Sequence, residues 1–365
     1  MLVLVAATQL IAAAQAGRAR ELYDRAVELE QKGNGAAALP LLWEAAGLAP
    51  KDGDIQDRLG EALERIGALD GAVDAYRAAA DARPAPRGAA NHLVLALVKA
   101  GRSPEAITRA RTSATESPND AERWFTLGLA QSDVDADGAI DSFHRALAID
   151  ARHALARYNL ALVLYHADRL QPALDELQAA LESQPRPEVH YTLGIVYWHK
   201  GDLDPAVKAL DAAIAAKPDY ADAHLALGTI LKTRGDLKRA VVSLKRAAAL
   251  RPDLPAPHVV LAQTLTLAGD ADGAKRESAE ADRLRAITQQ SQEAATWTTV
   301  GVQKLDAGDA AAAADCFRRA TRAFDAFAPA HYQLGIALDR LGQHDAARAA
   351  FARAQQLNPT LVPPR

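Results

Sequence analysis

An all-α solenoid of ten helix–turn–helix repeats is the fold this sequence predicts, and three observations predict it. The 365 residues fall onto a 34-residue ruler from Ala19 to Leu361, and a period in that range marks a stacked-repeat architecture. Within each period the apolar residues recur at helical spacing in two blocks separated by a turn. The composition is 49% hydrophobic but only 5% aromatic and is dominated by Ala and Leu, which favours helix over strand.

The register is plainest from Pro187 to Leu254, where PEVHYTLGIVYWHKGDLDPAVKALDAAIAAKPDY and ADAHLALGTILKTRGDLKRAVVSLKRAAALRPDL overlay without a gap. Units start at Ala19, Gly53, Arg87, Ala121, Ala154, Pro187, Ala221, Pro255, Ala294 and Ala328. The eighth position is Gly or Ala everywhere except Val94. The twentieth is Ala in all ten units once one residue is deleted from the fourth unit's turn, and the twenty-seventh is Ala except at Ser113. Small residues there let two antiparallel helices approach closely. Glycine at position fifteen, as in Gly201 and Gly235, takes the left-handed conformation that stops the first helix. The Asp that follows is placed to cap the second helix, and a late proline turns the chain into the next unit.

Two stretches depart from the ruler. Residues 1–18 read as a signal peptide or N-terminal apolar leader: LVLVAATQLIAAA is too short to span a bilayer, and Ala14-Gln15-Ala16 resembles an export cleavage site. The opposing reading is an apolar helix capping the first repeat. Repeats one to eight occupy 19–288, an insertion occupies 289–293, repeats nine and ten occupy 294–361, and 362–365 form a tail. The stretch 287–295 holds neither Gly nor Pro, which predicts a second helix in unit eight longer by about a turn, followed by a rigid kink before unit nine, with a hinge as the alternative.

The periodic pattern resembles the tetratricopeptide repeat family. Its W-x2-L-G-x2-Y…A-x3-F…A…P signature is carried best by Trp124, Leu127 and Gly128 in the fourth unit. Leu334, Gly335, Ala347, Phe351, Ala354 and Pro359 carry it in the tenth. Departures are local: Arg25 stands where Leu is usual, and Ala151, Ala286 and Asp325 replace closing prolines. The resemblance implies a right-handed superhelix of about one turn, with the first helix of each pair lining the concave side.

Positions 2, 5, 9 and 12 then face inward, since their spacing puts them on one helical face. Unit two supplies Asp54, Asp57, Glu61 and Glu64. Unit four supplies Phe125 and Leu129; unit five supplies Tyr158, Leu162 and Tyr165; unit six supplies Tyr191, Ile195 and Trp198. His166 and His199 sit beside them at position 13. An aromatic strip offers a partner large contact area with polar tips, and the acidic face suits a partner with Lys or Arg beside apolar residues. The plainer alternatives are rings packed between successive first helices and an ordinary solvated acidic face. Tyr197, at the family's own tyrosine position, is assigned to structure.

No chemistry stands out. A net charge of −4 leaves no basic footprint for nucleic acid, and a single cysteine, Cys316, excludes a C-x-x-C metal or redox site. His190, His224, His258 and His331 share the fourth position of their units, which points to packing rather than metal binding. The family's clamp for a carboxyl terminus needs Lys and Asn on successive first helices, and here Asp57 and Glu61, Asn91 and Leu95, or Tyr158 and Leu162 fill those slots. Only Asn159 occupies the position of an asparagine ladder. The sequence thus predicts a non-enzymatic scaffold or adaptor that binds a protein or peptide partner, with no cofactor and no membrane span. A self-assembling structural oligomer joined through the terminal repeats is the alternative, and a recruiting module of an enzyme complex ranks third. The leader and the Ala/Arg/Asp-rich composition point to a bacterial periplasm, or to secretion; the alternative is the cytoplasm.

Overall fold

The computed structural model describes residues 2–86 and 88–362, and side chains from residue 13 onward within them. The start of unit three at Arg87, the tail residues 363–365, Met1 and the leader's side chains up to Ala12 lie outside the described residues. Nineteen α-helices and no strand occur among those described.

The first compact unit is Met1–Ala213. It opens with α1 (Leu2–Gln31), α2 (Gly35–Leu48), α3 (Gly53–Arg65) and α4 (Leu69–Asp81). Next come α5 (Ala89–Lys99), α6 (Ser103–Glu116), α7 (Ala121–Gln131) and α8 (Ala136–Ile149). Helices α9 (Ala154–His166), α10 (Leu170–Ser183), α11 (Pro187–Lys200) and α12 (Leu203–Ala216) follow, the last crossing into the second unit. One continuous core runs from Ala19 to Ala209. Ahead of Ala19, residues Ala13 to Arg18 on α1 are all exposed.

The second unit, Ile214–Arg365, holds α13 (Ala221–Arg234), α14 (Leu237–Leu250) and α15 (Pro255–Leu267). After these come α16 (Ala271–Asp306), α17 (Ala310–Ala323), α18 (Ala328–Arg340) and α19 (His344–Leu357). The turn expected between units eight and nine is not formed. The second helix of unit eight, the inserted residues and the first helix of unit nine are one helix of 36 residues. The reason is local: no Gly or Pro interrupts 287–295, and Ala286 stands where a proline would have stopped the helix. No residue from Arg285 to Glu293 is buried. The core around Leu244, Leu261 and Leu265 is separate from the cores of the last two repeats, around Phe317 and Phe351.

A pairing of sizes holds most of the repeats together. A Cβ on Gly128 would fall 2.6 Å from Phe143, and one on Gly335 would fall 2.6 Å from Phe351. In most units position eight must be small because position twenty-four of the same unit lays a large side chain against it; unit eight has Ser278 there, opposite Ala262. Unit three inverts the pair: buried Val94 stands at position eight, and buried Ala110 at position twenty-four.

The turns follow the sequence closely. Gly201 and Gly235 end their helices at φ 90° and 87°. Unit five lacks the glycine, and Asp168 takes the same left-handed conformation in its place, at φ 58°. Asp236, Asp270 and Asp309 each accept a backbone N–H in the first turn of the following helix.

Candidate functional site

The inner strip lies within the first unit, on α7, α9 and α11. Small and aliphatic residues such as Ala161, Leu160 and Val196 are buried on the packed faces of these helices. Phe125, Leu129, Tyr158, Leu162, Tyr165, Tyr191, Ile195 and Trp198 are half-buried, and His166 and His199 are exposed. Several of these side chains reach one repeat further on. The Tyr158 hydroxyl lies 3.2 Å from Thr192 Oγ1 on α11, and the Tyr165 ring stands edge-on to His199 at 5.5 Å. Phe125 packs on His153 at 4.8 Å and on Phe143 at 6.0 Å. Tyr158 and Tyr165 are thus packed on one edge against the next first helix, and Phe125 against Phe143 and His153, while each of the three rings stays partly exposed.

The acidic face of α3 is largely committed to internal pairs. Asp57 binds His92 Nδ1 at 2.8 Å, Glu61 accepts from Arg58 at 2.9 Å, and Glu64 pairs with Lys99. Glu64 also accepts the Tyr76 hydroxyl at 3.2 Å. Burial and the Glu64 carboxylate push that phenol well above its ordinary pKa. The Asp57 hydrogen bond raises the pKa of His92 against the opposing effect of burial. Asp54 is exposed in the first turn of α3.

These links have a signature. Asp57–His92, Glu64–Lys99 and Glu30–Arg65 are each 35 residues apart, one more than the repeat, so positions 5 and 12 of one unit meet positions 6 and 13 of the next. Pairing residues at that offset is the signal that finds them in the sequence.

The fourth position also has a specific duty. Gln56, Trp124 and Arg157 donate a side-chain N–H to the carbonyl six residues earlier, those of Pro50, Pro118 and Ala151. His224 and His331 do the same to Pro218 and Asp325 at 3.1 and 2.9 Å, with Nε2 carrying the proton. In these five units the slot supplies an N–H donor that secures the turn between repeats, which is why Trp, His, Gln and Arg interchange there, whereas units one and three have Leu22 and Ala90. His258 instead binds Glu277 at 2.7 Å.

No group of three or more His, Cys, Asp or Glu able to hold a metal occurs among the described residues, nor is any described helix long and apolar enough to cross a membrane. Cys316 is a half-buried free thiol.

Helix pairs, small-residue contacts and inter-repeat donors define a tetratricopeptide solenoid, a fold that serves as a scaffold for protein interactions and is in general not enzymatic. Two models of that family match the chain, one at residues 191–255 and 301–361 and the other at 129–196, together covering about half of it. The chain belongs to the tetratricopeptide repeat family.

Protein FlbA of Caulobacter vibrioides is 29% identical over 164 residues, which are 45% of this chain but only 28% of that protein. Among solved structures, MamA is 27% identical with a TM-score of 0.41, over 43% of this chain and 92% of its own. A tetratricopeptide repeat protein from Parabacteroides merdae is 17% identical with a TM-score of 0.53, over 68% of this chain and 99% of its own. The last likeness is one of fold.

Proposed function

We propose that this protein is a non-enzymatic scaffold that holds an extended or helical segment of a protein partner along the strip from Phe125 to His199. The observation that carries this reading is the continuous set of half-buried rings on successive first helices: Tyr158 and Tyr165 on α9, Tyr191 and Trp198 on α11. Tyr158 and Tyr165 are fixed on one edge by Thr192 and His199, so a partner meets pre-ordered aromatic surface at these two rings, and little of their side-chain entropy remains to be lost. The acidic face contributes less to partner binding than its charge count suggests, because Arg58, His92 and Lys99 already balance it. Tyr158→Ala combined with Trp198→Ala should abolish partner capture from native extract while leaving helicity and melting cooperativity near wild type. If the double variant captures the same partner, the strip is not the site; if it unfolds, those rings are core.

Export to the periplasm is part of the proposal. It is supported by the apolar run and by the exposure of every residue from Ala13 to Arg18 on α1, and N-terminal sequencing of protein from the native host tests it. Self-association through the terminal repeats is a second reading, favoured by Trp43, which is 53% exposed on a helix whose only charge is Glu44. It predicts concentration-dependent sedimentation that Trp43→Ser suppresses.

A further inference from the structure

A second site lies on a different face of α11. Beside His190, Leu193 and Tyr197 (positions four, seven and eleven) is a cavity of about 540 Å³. Leu181 on α10 and Asp204, Pro205, Lys208, Ala209 and Ala212 on α12 complete its walls. The strip positions of α11 are two, five, nine and twelve, so the cavity is separate from the strip.

The other repeats show what is missing here. Position twenty-six of unit four is Arg145, whose guanidinium carbon sits 4.6 Å over the ring of Trp124 at position four. In unit nine Arg319 sits 4.8 Å over Trp297. In unit ten Arg353 pairs with Asp325, the carboxylate that also lies 3.3 Å from His331. Unit seven likewise has Arg246 at this position with His224 at position four. Unit six carries a ring at position four, His190, but Ala212 at position twenty-six. Unit eight, with His258 and Glu280, also lacks the arginine. The space that arginine fills in units four and nine is open in unit six, and its mostly apolar walls suit the methylene stem of such a side chain.

We propose that the hollow over His190 is a binding site for an arginine side chain presented by a protein partner. The two charged residues lining the hollow, Asp204 and Lys208, offset one another, and Glu176 on α10 is already paired with Arg157, so recognition rests on the ring and the apolar stem contacts rather than on net charge. Burial lowers the pKa of His190, so its ring is neutral near pH 7 and does not repel a guanidinium. A cation over a neutral ring, its stem against Leu181 and Leu193, reproduces the contact that units four and nine make internally.

The test is a titration of the full chain with the tripeptide amide Gly-Arg-Gly, followed by the NMR signals of the His190 ring. Counterparts with citrulline or phenylalanine in place of arginine serve as controls. The proposal expects a saturable shift with half-saturation on the order of 1 mM and a loss of about fivefold in affinity on going to citrulline, which keeps the shape and removes the charge. Ala212→Arg should fill the hollow from within, abolish the shift and melt no lower than wild type. A shift that never saturates, citrulline or phenylalanine binding as tightly as arginine, or unchanged binding by a folded Ala212→Arg chain would each overturn it. The peptide comparison uses the unaltered protein, so it decides the matter even if the substitution misfolds.

Discussion

Substituting Gly128 by Ala tests the size pairing that sets the inter-helix distance in most repeats. The new Cβ would stand 2.6 Å from Cε1 and 2.7 Å from Cδ1 of Phe143, about 1 Å inside ordinary carbon–carbon contact. Phe143 is fully buried, so its ring has nowhere to retreat, and overpacking of this kind costs about 1–3 kcal/mol. Alanine recovers about 1 kcal/mol over glycine through helix propensity, leaving a net loss of about 0–2 kcal/mol. Phe143→Leu alone opens a cavity and should cost about 1 kcal/mol. The double variant installs the pair that unit five already uses, fully buried Ala161 against fully buried Leu177. It should therefore be more stable than the two single losses added together, by about 1 kcal/mol or more. Urea unfolding followed by far-UV circular dichroism, with amide exchange across α7 and α8, measures all four corners of the cycle. A Gly128→Ala chain more stable than wild type, or strict additivity, would refute the reasoning.

The bare middle of α16 should be the weak point of the second unit. Gln290→Pro removes a helix bond at a cost of about 3 kcal/mol, and tryptic cleavage after Arg285 should rise while exchange in α18 and α19, which have their own core, stays slow. The Asp57–His92 pair should make stability pH-dependent. The folded pKa of His92 is raised, so the contribution is complete below the ordinary histidine value and is lost as pH rises through the raised one. Thermal midpoints should thus fall as the pH rises above the ordinary histidine value of about 6.5, by less in a His92→Gln chain.

Much of the fold was legible because each repeat states its own rules. Gly at fifteen, Asp at sixteen and small residues at eight and twenty are local requirements, and even Asp168 obeys the first of them through backbone geometry rather than identity. The fused helix was not read, because the five extra residues appear as a longer helix followed by a break, whereas continuity depends on the want of any breaker between Gly273 and Gly301. At the candidate site, the positions of the rings follow from the period. The neutralisation of the acids does not, until residues one repeat and one place apart are compared. The donor role of position four needs the orientation of a turn carbonyl, which periodicity alone does not supply. The hollow over His190 is visible in sequence only as the alanine of unit six at a position where four of the other five ring-bearing units place arginine, unit eight having Glu280 there.

The 36-residue helix α16 turns a question of length into one of angle. A loop between repeats absorbs an added residue with little effect, but a residue added within 285–293 would rotate everything after it by about 100° about the helix axis. Seven added residues would nearly restore the original facing, about 20° short of two full revolutions. Relatives that keep this shaft should therefore vary in its exposed stretch by phase-preserving steps and tolerate single insertions poorly, although no side chain there is buried.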